Sequence, residues 1–371
     1  MRVCLDCFPF LVRSAGVKAY LFELHRHLRR IAGPENVHSF PFLDHVESFH
    51  HEGSVLGPAA TALRFGILFF SNLDHNPVLD LLGRRIDVFH ASNQVRNPPR
   101  NAKLTTTIHD MTAWSHPELH RAATVTNDKR WAERIVRRAD AIVTPSESSR
   151  QDAIRWLGLP PERVTAIHHG VGHAYFSPKP DSVAAARTAF QLNKPYILFV
   201  STIEPRKNLD RLLDAYEALP QSIRGEYDLA VSGPRGWSSE HTAARLVSGI
   251  PGVRALGYVP ETLLPGLVAG ATVFAYPSLY EGFGFPVAQA MAAGAPVLTS
   301  NVSSLPEITG GAAVLVDPLS TSEITAALTK LLLSPTFRVL LSSLGRDRAR
   351  HFRWERCAQE TWRFFERVCF F

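Results

Sequence analysis

Two short segments in the second half of the sequence combine residue types that suit the binding of an anion. The first is Glu281-Gly-Phe-Gly-Phe-Pro286, which lies between an apolar run and a helical pattern. Its glycines let the backbone approach a ligand, and the helix start near Pro286 directs unpaired N–H groups toward a phosphate. Glu281 precedes the turn, where its carboxylate can accept hydrogen bonds from sugar hydroxyls. A plain glycine turn with a solvated glutamate would have the same sequence, so this segment alone is weak support for a site.

The second segment is Ile203-Glu-Pro-Arg-Lys-Asn208, which follows another predicted strand and opens the next helix. Arg206 offers a planar fork for phosphate oxygens, and Lys207 offers a mobile point charge. Cations in the first turn of a helix are repelled by the positive end of the helix dipole, and cations placed there often bind an anion. Ligands of doubly wound sheets bind beyond the carboxyl ends of the strands. We therefore expect Arg206 and Lys207 to converge on an anion held near Glu281, with two solvated cations as the alternative.

The elements that position these residues follow from the alternation of short β-type runs with longer helical patterns, which predicts an α/β fold with parallel sheets. In the first half of the chain, the predicted strands span residues 3–8, 88–91, 104–108 and 141–144. Helices are predicted for the apolar positions from Val17 to Leu28 and for residues 130–139. In the second half, the predicted strands span residues 196–201, 229–232, 273–276 and 296–299, and the helices span 209–219 and 287–293. We expect the aromatic helix at 352–371 to pack against a core.

The length of 371 residues predicts two domains, because a chain of this size exceeds one ordinary core. A proline-containing stretch at residues 177–195 separates two strand-rich blocks. We therefore expect two Rossmann-like domains in tandem, residues 1–177 and residues 178–352.

Composition argues against several classes of protein. The chain has 40 Lys and Arg against 34 Asp and Glu, a net charge of +6, but no basic tract alternates with aromatic residues, so no nucleic-acid partner is expected. The mild excess suits anionic small molecules or an anionic membrane surface. We expect a cytoplasmic protein, because no apolar stretch reaches the length of a membrane span and no signal peptide is evident. Cys4 and Cys7 lie in the first apolar run, which predicts buried, inert thiols rather than a redox pair.

Several motifs, in order along the chain, resemble retaining glycosyltransferase family 4, whose members have the GT-B fold. They are Glu204-Pro-Arg-Lys-Asn-Leu209, Glu281-Gly-Phe-Gly-Phe-Pro286, Ala290-Met-Ala-Ala-Gly294 and Ser303-Ser-Leu-Pro-Glu307. The similarity is densest in residues 196–318 and extends to His168-His-Gly-Val171 and Phe352-x-Trp-Glu-Arg356. The resemblance implies two domains that face each other across a cleft. The N-terminal domain, residues 1–177 joined by the C-terminal helix 353–371, would bind an acceptor, and the C-terminal domain, residues 178–352, would bind a nucleotide sugar.

The resemblance also implies roles for individual residues. Arg206 and Lys207 match the basic pair that holds the donor diphosphate and stabilises the leaving nucleotide, and Glu281 matches a carboxylate that contacts the transferred sugar. His109 matches a histidine that hydrogen-bonds the donor sugar, although a histidine that merely ends a strand is the alternative. Gly16 matches a glycine near the donor phosphates. The backbone against the sugar and the phosphates would come from Gly282, Phe283, Gly284, Phe285 and Pro286.

One position departs from the family pattern. Glu281 begins a motif that normally ends in a second glutamate, but this chain has Gln289 there. In the family, that residue accepts hydrogen bonds from both ribose hydroxyls of the nucleotide. An amide oxygen still accepts but lacks the negative charge, which weakens binding by about 1–2 kcal/mol. We therefore expect weaker nucleotide binding with retained activity.

No metal and no cofactor are expected. The sequence contains no Asp-x-Asp motif, and its histidine-rich spots lack further ligands. The expected donor is a nucleotide diphosphate sugar, with GDP-mannose favoured because the motif at residues 204–208 resembles mannosyl-type members. The resemblance implies retaining transfer to a glycan or lipid-linked acceptor in polysaccharide biosynthesis. A lipid-linked acceptor would bring the N-terminal domain into peripheral contact with a membrane.

Two other functions remain open. The chain could be a sugar-nucleotide epimerase or a glycan phosphorylase of the same architecture. It could also be a non-catalytic nucleotide-sugar-binding protein, which Gln289 alone supports. A nicotinamide-dependent dehydrogenase is disfavoured, because Gly282-Phe-Gly284 lacks the third glycine of the dinucleotide motif and occurs late in the chain.

Overall fold

The computed structural model describes residues 1–13, 16–48, 53–73, 79–80 and 85–370. The chain divides into two compact units, one formed by Met1–Gly170 with Trp354–Phe371 and the other by Val171–Arg353. The boundary expected after residue 177 falls inside the second unit. A parallel bridge between Val171 and Arg353 joins the chain to this unit as soon as it passes Gly170. The helix at the C-terminus belongs to the first unit.

The first unit contains, within its described residues, a six-stranded parallel sheet in the order β2-β1-β3-β4-β5-β6. The strands are β1 (Val3–Asp6), β2 (Val37–Phe40), β3 (Val88–Ala91), β4 (Lys103–Thr107), β5 (Ala141–Thr144) and β6 (Val164–Ala166). The helices are α1 (Gly16–Ala32), α2 (Pro58–Ser71), α3 (Thr112–Ser115), α4 (Ala122–Trp131), α5 (Glu147–Leu157) and, after the second unit, α15 (Trp354–Phe370). Short 3-10 turns occur at Phe8–Leu11, Pro117–Leu119 and Pro161–Arg163, and a π-helical turn occurs at Ala132–Val136.

The second unit contains another six-stranded parallel sheet, in the order β12-β11-β10-β7-β8-β9. The strands are β7 (Tyr196–Val200), β8 (Asp228–Ser232), β9 (Val253–Gly257), β10 (Val273–Tyr276), β11 (Val297–Ser300) and β12 (Val314–Val316). The helices are α6 (Pro180–Ala189), α7 (Leu209–Glu217), α8 (Gln221–Glu226), α9 (Glu240–Ser248), α10 (Leu264–Ala269), α11 (Phe285–Ala293), α12 (Leu305–Thr309), α13 (Thr321–Leu333) and α14 (Pro335–Ala349). Two 3-10 turns lie at His173–Tyr175 and Pro205–Lys207.

The core of each unit forms around the central strands of its sheet. Every residue of β1 and β3 is buried in the first unit, and every residue of β8, β10 and β11 is buried in the second. Continuous apolar runs are typical of parallel strands that are covered on both faces. In α15, Trp354, Phe364 and Phe365 are buried, which confirms that these aromatic residues pack in a core.

The structure confirms the predicted α/β fold with parallel sheets and corrects several bounds. The strand expected at residues 3–8 ends at Asp6, whose carboxylate accepts a hydrogen bond from Phe8 N and starts a 3-10 turn. The helix expected at 130–139 is present but its bounds are wrong, because α4 begins at Ala122 and the π-helical turn that follows it ends at Val136. Since α4 has no buried residue, no apolar period marks it in the sequence.

The cysteines of the first strand region behave as the sequence predicts. Cys4 and Cys7 are both free and buried. Burial raises the pKa of each thiol well above its ordinary value. Since the thiolate is the reactive form, both groups are unreactive at neutral pH.

Across the described ranges, no single helix has both the length and the apolar composition needed to cross a membrane. The helices α13 and α14 meet that test only when taken together, and the chain bends by 100° between them.

Candidate functional site

The two motif segments follow neighbouring strands of the second sheet. β7 and β10 pair in parallel, so their carboxyl ends lie at the same edge. The backbone carbonyl of Arg206, after β7, accepts hydrogen bonds from Leu279 N at 2.8 Å and from Ser278 Oγ at 3.1 Å, both after β10. The structure therefore brings the two segments into direct contact at the edge where ligands of such sheets bind.

The carboxylate of Glu281 lies at the centre of this contact. Its Oε1 accepts hydrogen bonds from Lys207 Nζ at 2.6 Å and from Ser278 Oγ at 2.7 Å. Tyr276 OH donates to the same oxygen at 2.8 Å, and Arg206 Nη1 donates to Oε2 at 3.1 Å. Only 9% of the Glu281 side chain is exposed. The carboxylate thus holds the cation pair in place and is itself largely shielded from solvent.

A second carboxylate, Glu204, completes the cluster. Its Oε1 accepts a hydrogen bond from Arg206 Nη2 at 2.8 Å, and its side chain is almost completely buried. Arg206 is therefore held between Glu204 and Glu281, and its Nη1 also donates to Tyr280 O at 2.9 Å. The side chains of Arg206 and Lys207 are 13% and 10% exposed. Two cations and two carboxylates give this cluster of four residues no net formal charge.

Burial and charge act in opposite directions on these groups. Burial raises the pKa of Glu281, but Lys207, Arg206 and the hydrogen bonds outweigh it and lower that pKa to about 2. Burial lowers the pKa of Lys207, and Arg206 lowers it further, while Glu281 and Glu204 oppose this effect. Burial also raises the pKa of Glu204, against the influence of Arg206. Glu281 is therefore ionised at neutral pH, although it is buried.

The loop after Glu281 depends on a glycine at the start of α11. Gly284 caps this helix with a φ of 93°, and a Cβ there would lie 2.8 Å from Leu305 Cδ2. Phe283 is buried, and its ring lies 5.2 Å from the ring of Phe285. The phenylalanine side chains therefore pack the loop, which leaves the backbone of the loop as the part suited to a ligand.

Two serines fix the backbone of Glu281. Ser303 Oγ accepts a hydrogen bond from Glu281 N at 3.0 Å, and Ser304 Oγ donates one to Glu281 O at 2.9 Å. Gly282 follows directly and is buried. These bonds hold both polar backbone groups of Glu281, so the two serines support the loop.

The remaining predicted residues of the second unit lie on α11. Pro286 stands in its first turn and is half-buried, where its missing N–H leaves no unsatisfied donor. Gln289 stands in the middle of the helix and is also half-buried. The predicted helix start near Pro286 is confirmed within one residue, because α11 begins at Phe285.

Two predicted site residues belong to the first unit. His109 follows β4, and its ring centroid lies 5.1 Å from that of Tyr20 and 5.9 Å from that of His169. Burial lowers the pKa of His109 to about 4, although Asp110 opposes this shift, so the ring is neutral at pH 7. Gly16 is the first residue of α1, and a Cβ there would meet nothing within 4 Å.

Sequence reasoning missed the polar residues that surround the Glu281 carboxylate. Tyr276 is the last residue of β10, and Ser278 follows two positions later. The signal that could have identified them is their place, since polar groups at the carboxyl end of an apolar parallel strand face the ligand edge of the sheet. Glu204 was part of a recognised motif but carried no predicted role.

Each of the two units matches a known protein family. Residues 183–348 match the family described as glycosyl transferases group 1, and residues 14–175 match glycosyltransferase family 4. The O-antigen chain mannosyltransferase B of Escherichia coli is 35% identical over 277 residues, which cover 74% of this chain and 72% of that protein. The serotype-specific mannosyltransferase WbdA of Escherichia coli is 29% identical over 227 residues, 60% of this chain and 28% of that longer protein.

Solved structures with similar folds cover nearly the whole chain. Anabaena HepE in complex with UDP-glucose matches with a TM-score of 0.75 at 18% identity, over 98% of this chain and 99% of that one. Sucrose-phosphate synthase from Thermosynechococcus elongatus matches with a TM-score of 0.73 at 20% identity, over 99% and 98% of the two chains. At these identities the likeness shows the fold, and it confirms the GT-B class expected from the sequence.

Proposed function

Since the chain belongs to glycosyltransferase family 4, and is therefore a glycosyltransferase, we propose that it transfers a hexose from a nucleotide diphosphate sugar to a glycan or lipid-linked acceptor. We propose mannose as the sugar, GDP-mannose as the donor and polysaccharide biosynthesis as the setting. The names of the Escherichia coli relatives, an O-antigen chain mannosyltransferase and a serotype-specific mannosyltransferase, support the sugar and the setting. The UDP-glucose complex of HepE supports a nucleotide sugar as the class of donor.

The observation that carries this proposal is the pairing of Arg206 and Lys207 at the carboxyl edge of the second sheet. Cleavage of the bond between the sugar and the diphosphate leaves negative charge on the phosphate. Arg206 and Lys207 can hold phosphate oxygens where these replace the carboxylates of Glu204 and Glu281 as acceptors, and the N-terminal end of α11 adds partial positive charge. These groups would stabilise the leaving nucleotide as its charge develops.

We propose that this stabilisation needs no metal ion. The positive charge of Arg206 and Lys207 takes the part that a cation on the diphosphate has in other transferases. In the part of the chain that the structure describes, no three His, Cys, Asp or Glu side chains are grouped so that they could hold a metal. Retained activity in EDTA supports this part of the proposal, and recovery only on addition of a divalent cation rejects it.

We propose that the sugar is transferred with retention by attack from the front face. The acceptor hydroxyl approaches on the side of the departing phosphate, and a phosphate oxygen takes its proton as the new glycosidic bond forms. His109, neutral at pH 7, would hydrogen-bond the donor sugar. Proton NMR of the first product formed gives the anomeric configuration, and an inverted product would reject this mechanism.

Arg206→Ala tests the site, with Arg245→Ala as a matched control. Arg245 also lies in the second unit, is 20% exposed, and pairs with Asp214 at 2.8 Å and Glu217 at 2.6 Å. Both variants lose an ion-paired arginine, but only Arg206→Ala removes charge from the proposed donor site. We expect turnover to fall by about 100-fold or more for Arg206→Ala and to change little for Arg245→Ala. A rate near wild type for Arg206→Ala contradicts the proposed role.

The donor and the reaction class are identified together. A thermal-shift screen against GDP-, UDP- and ADP-sugars selects the donor, which is then incubated with and without a glycan acceptor. A transferase releases nucleoside diphosphate and does so faster with the acceptor. An epimerase changes the sugar with no acceptor present, and a non-catalytic binding protein releases nothing. We further propose a cytoplasmic location with peripheral attachment to a membrane, as a lipid-linked acceptor requires.

A further inference from the structure

Three buried rings form a cluster next to His109 in the first unit. The ring of Tyr20, on α1, meets the ring of His109 edge-on, with 5.1 Å between their centroids. Tyr20 also lies 4.3 Å from the ring of His169, which follows β6. Trp354, the first residue of α15, stacks on His169 with centroids 6.3 Å apart and lies at the same distance from Tyr20. The three rings are buried and therefore form a packed support for His109.

The close approach of Trp354 to the chain after His169 explains two motifs of the sequence. A Cβ at Gly170 would lie 2.5 Å from Trp354 Cα, so the two segments approach too closely for a side chain at this position. The motifs His168-His-Gly-Val171 and Phe352-x-Trp-Glu-Arg356 therefore meet in this cluster. Together they hold the ring of His169 in place.

A chain of hydrogen bonds joins the same tyrosine to the strand that carries His109. The hydroxyls of Tyr20 and Thr107 share a hydrogen bond of 3.1 Å. Thr107 is the last residue of β4 and lies two positions before His109. Its hydroxyl oxygen lies 2.9 Å from His90 Nε2, and His90 Nδ1 lies 2.9 Å from Thr105 Oγ1. These bonds fix the end of β4 to α1 and β3.

The surroundings of His109 keep its ring neutral. Burial lowers the pKa of His109 to about 4, and the charge of Asp110 only partly opposes this shift. Burial also lowers the pKa of His90 to about 3 and that of His169 well below its ordinary value, and a charge on His109 lowers both further. Among the described residues, the titratable groups on the elements around His109 are Tyr20 on α1, His90 on β3, Asp110, Asp128 on α4, and His168 and His169 after β6.

We propose that Tyr20 is a positioning residue for glycosyl transfer. Its ring, backed by His169 and Trp354, holds the imidazole of His109, and its hydroxyl holds the end of β4 through Thr107. His109 therefore presents one orientation to the donor sugar and stays shielded from water. The inference rests on the proposed function, because it assumes that His109 contacts the donor sugar. Orientation matters to the rate, since a misplacement of about 1 Å can cost about 100-fold.

Tyr20→Phe tests the hydroxyl, with Tyr216→Phe as a matched control. Tyr216 is buried in the second unit, and its hydroxyl donates to Tyr227 O at 2.9 Å, so each variant removes one hydrogen bond of a buried tyrosine. We expect Tyr20→Phe to lower kcat about fivefold, the factor that one hydrogen bond ordinarily contributes. The KM for the donor should stay within about twofold, because the nucleotide is proposed to bind in the second unit. Tyr216→Phe should leave both constants near the wild-type values.

Tyr20→Leu tests the ring by a measurement that needs no activity. Histidines labelled with 13C at Cε1 report their own titration by NMR, and His109→Gln identifies the signal of His109 among the 16 histidines of the chain. In the wild type this signal should show no titration above about pH 5. Loss of the Tyr20 ring admits water, so the midpoint should rise toward the ordinary value of about 6.5, because burial causes the low pKa.

The same variant should lower kcat about 30-fold, because the imidazole is no longer held in one orientation. If Tyr20→Leu does not fold, Trp354→Phe takes its place, since a smaller ring there loosens both Tyr20 and His169. In that variant the signal of His109 should titrate above about pH 5.

Three results would overturn the inference. Tyr20→Phe and Tyr216→Phe could have equal kcat values, or the wild-type signal of His109 could already titrate near pH 6.5. The midpoint in folded Tyr20→Leu, or in Trp354→Phe where that variant replaces it, could also stay at the wild-type value. A low kcat for His109→Gln together with any of these results rejects the inference and leaves the role of His109 standing. Wild-type turnover in His109→Gln would instead reject the contact with the donor sugar, on which the inference rests.

Discussion

Replacement of Glu281 by glutamine should destabilise the second unit far more than the loss of an equally short ion pair at its surface. The pKa of Glu281 falls from its ordinary value of 4.5 to about 2 in the folded protein. This fall corresponds to about 3 kcal/mol of folding free energy, which the uncharged glutamine cannot supply. Removal of one partner from a buried ion pair costs a similar amount, about 3–5 kcal/mol, because the other charge stays buried. We therefore expect Glu281→Gln to lower the free energy of unfolding by about 3 kcal/mol.

Glu217→Gln is the matched control. Glu217 Oε2 lies 2.6 Å from Arg245 Nη2, the same distance that separates Glu281 Oε1 from Lys207 Nζ. The difference is exposure, which is 44% for the Glu217 side chain and 9% for that of Glu281. Since exposed ion pairs are screened by solvent, the control should lose less than about 1 kcal/mol. Unfolding in urea, monitored by hydrogen exchange of peptides that span β7 and β10, measures the free energy of unfolding of the second unit alone.

The pH dependence gives a further check of the same reasoning. A carboxylate whose pKa is depressed by folding contributes its full stability above pH 4.5 and loses it as the pH falls toward about 2. The difference between wild type and Glu281→Gln should therefore be constant from pH 7 to about 5 and fall to roughly half near pH 3. Equal losses for Glu281→Gln and Glu217→Gln, or a difference that does not change with pH, would refute the argument from burial.

Two further substitutions test the loop and the helix that follow Glu281. Gln289→Glu should tighten the binding of nucleoside diphosphate by about tenfold, because it restores a charged acceptor for the ribose; an unchanged or weaker affinity by calorimetry contradicts that role. Gly284→Ala combines a φ of 93° with a Cβ placed 2.8 Å from Leu305 Cδ2. Backbone strain alone costs about 1 kcal/mol, so this variant should lower the free energy of unfolding by more than that. Gly249→Ala, with a φ of 81° and nothing within 4 Å, supplies the strain-only reference, and equal melting temperatures for the two variants would show that the contact with Leu305 is harmless.

The central strands of both sheets could be predicted from the sequence, and the edge strands could not. β3, β5 and β10 have the predicted bounds, because strands covered on both faces are continuous apolar runs. β2, β6, β9 and β12, which lie at the four sheet edges, were not predicted. β6 and β12 have one buried residue each and β9 has none, so the apolar signal that marks a strand is absent from them.

The position of the site could be predicted from the sequence, but the hydrogen bonds within it could not. Arg206 and Glu281 each follow an apolar strand, and in a parallel sheet this places both at one edge. The sequence does not show that β7 and β10 are neighbours, because β8 and β9 lie between them along the chain. It also does not show that Tyr276 and Ser278 donate to Glu281, since those bonds depend on side-chain direction within a buried cluster.

The neutral charge of the cluster constrains the proposed binding of a diphosphate there. A phosphate oxygen that approaches Arg206 and Lys207 also meets the carboxylates of Glu204 and Glu281, whose repulsion offsets the attraction of the cations. We propose that binding becomes favourable where phosphate oxygens replace Glu281 as the acceptors for Lys207, with the N-terminal end of α11 adding positive charge. Such an exchange leaves the buried ammonium paired at each stage, and an unpaired ammonium is the state that costs most. On this reasoning a glutamine at position 289 adds no further carboxylate against the phosphates, and its cost is confined to a weaker hold on the ribose.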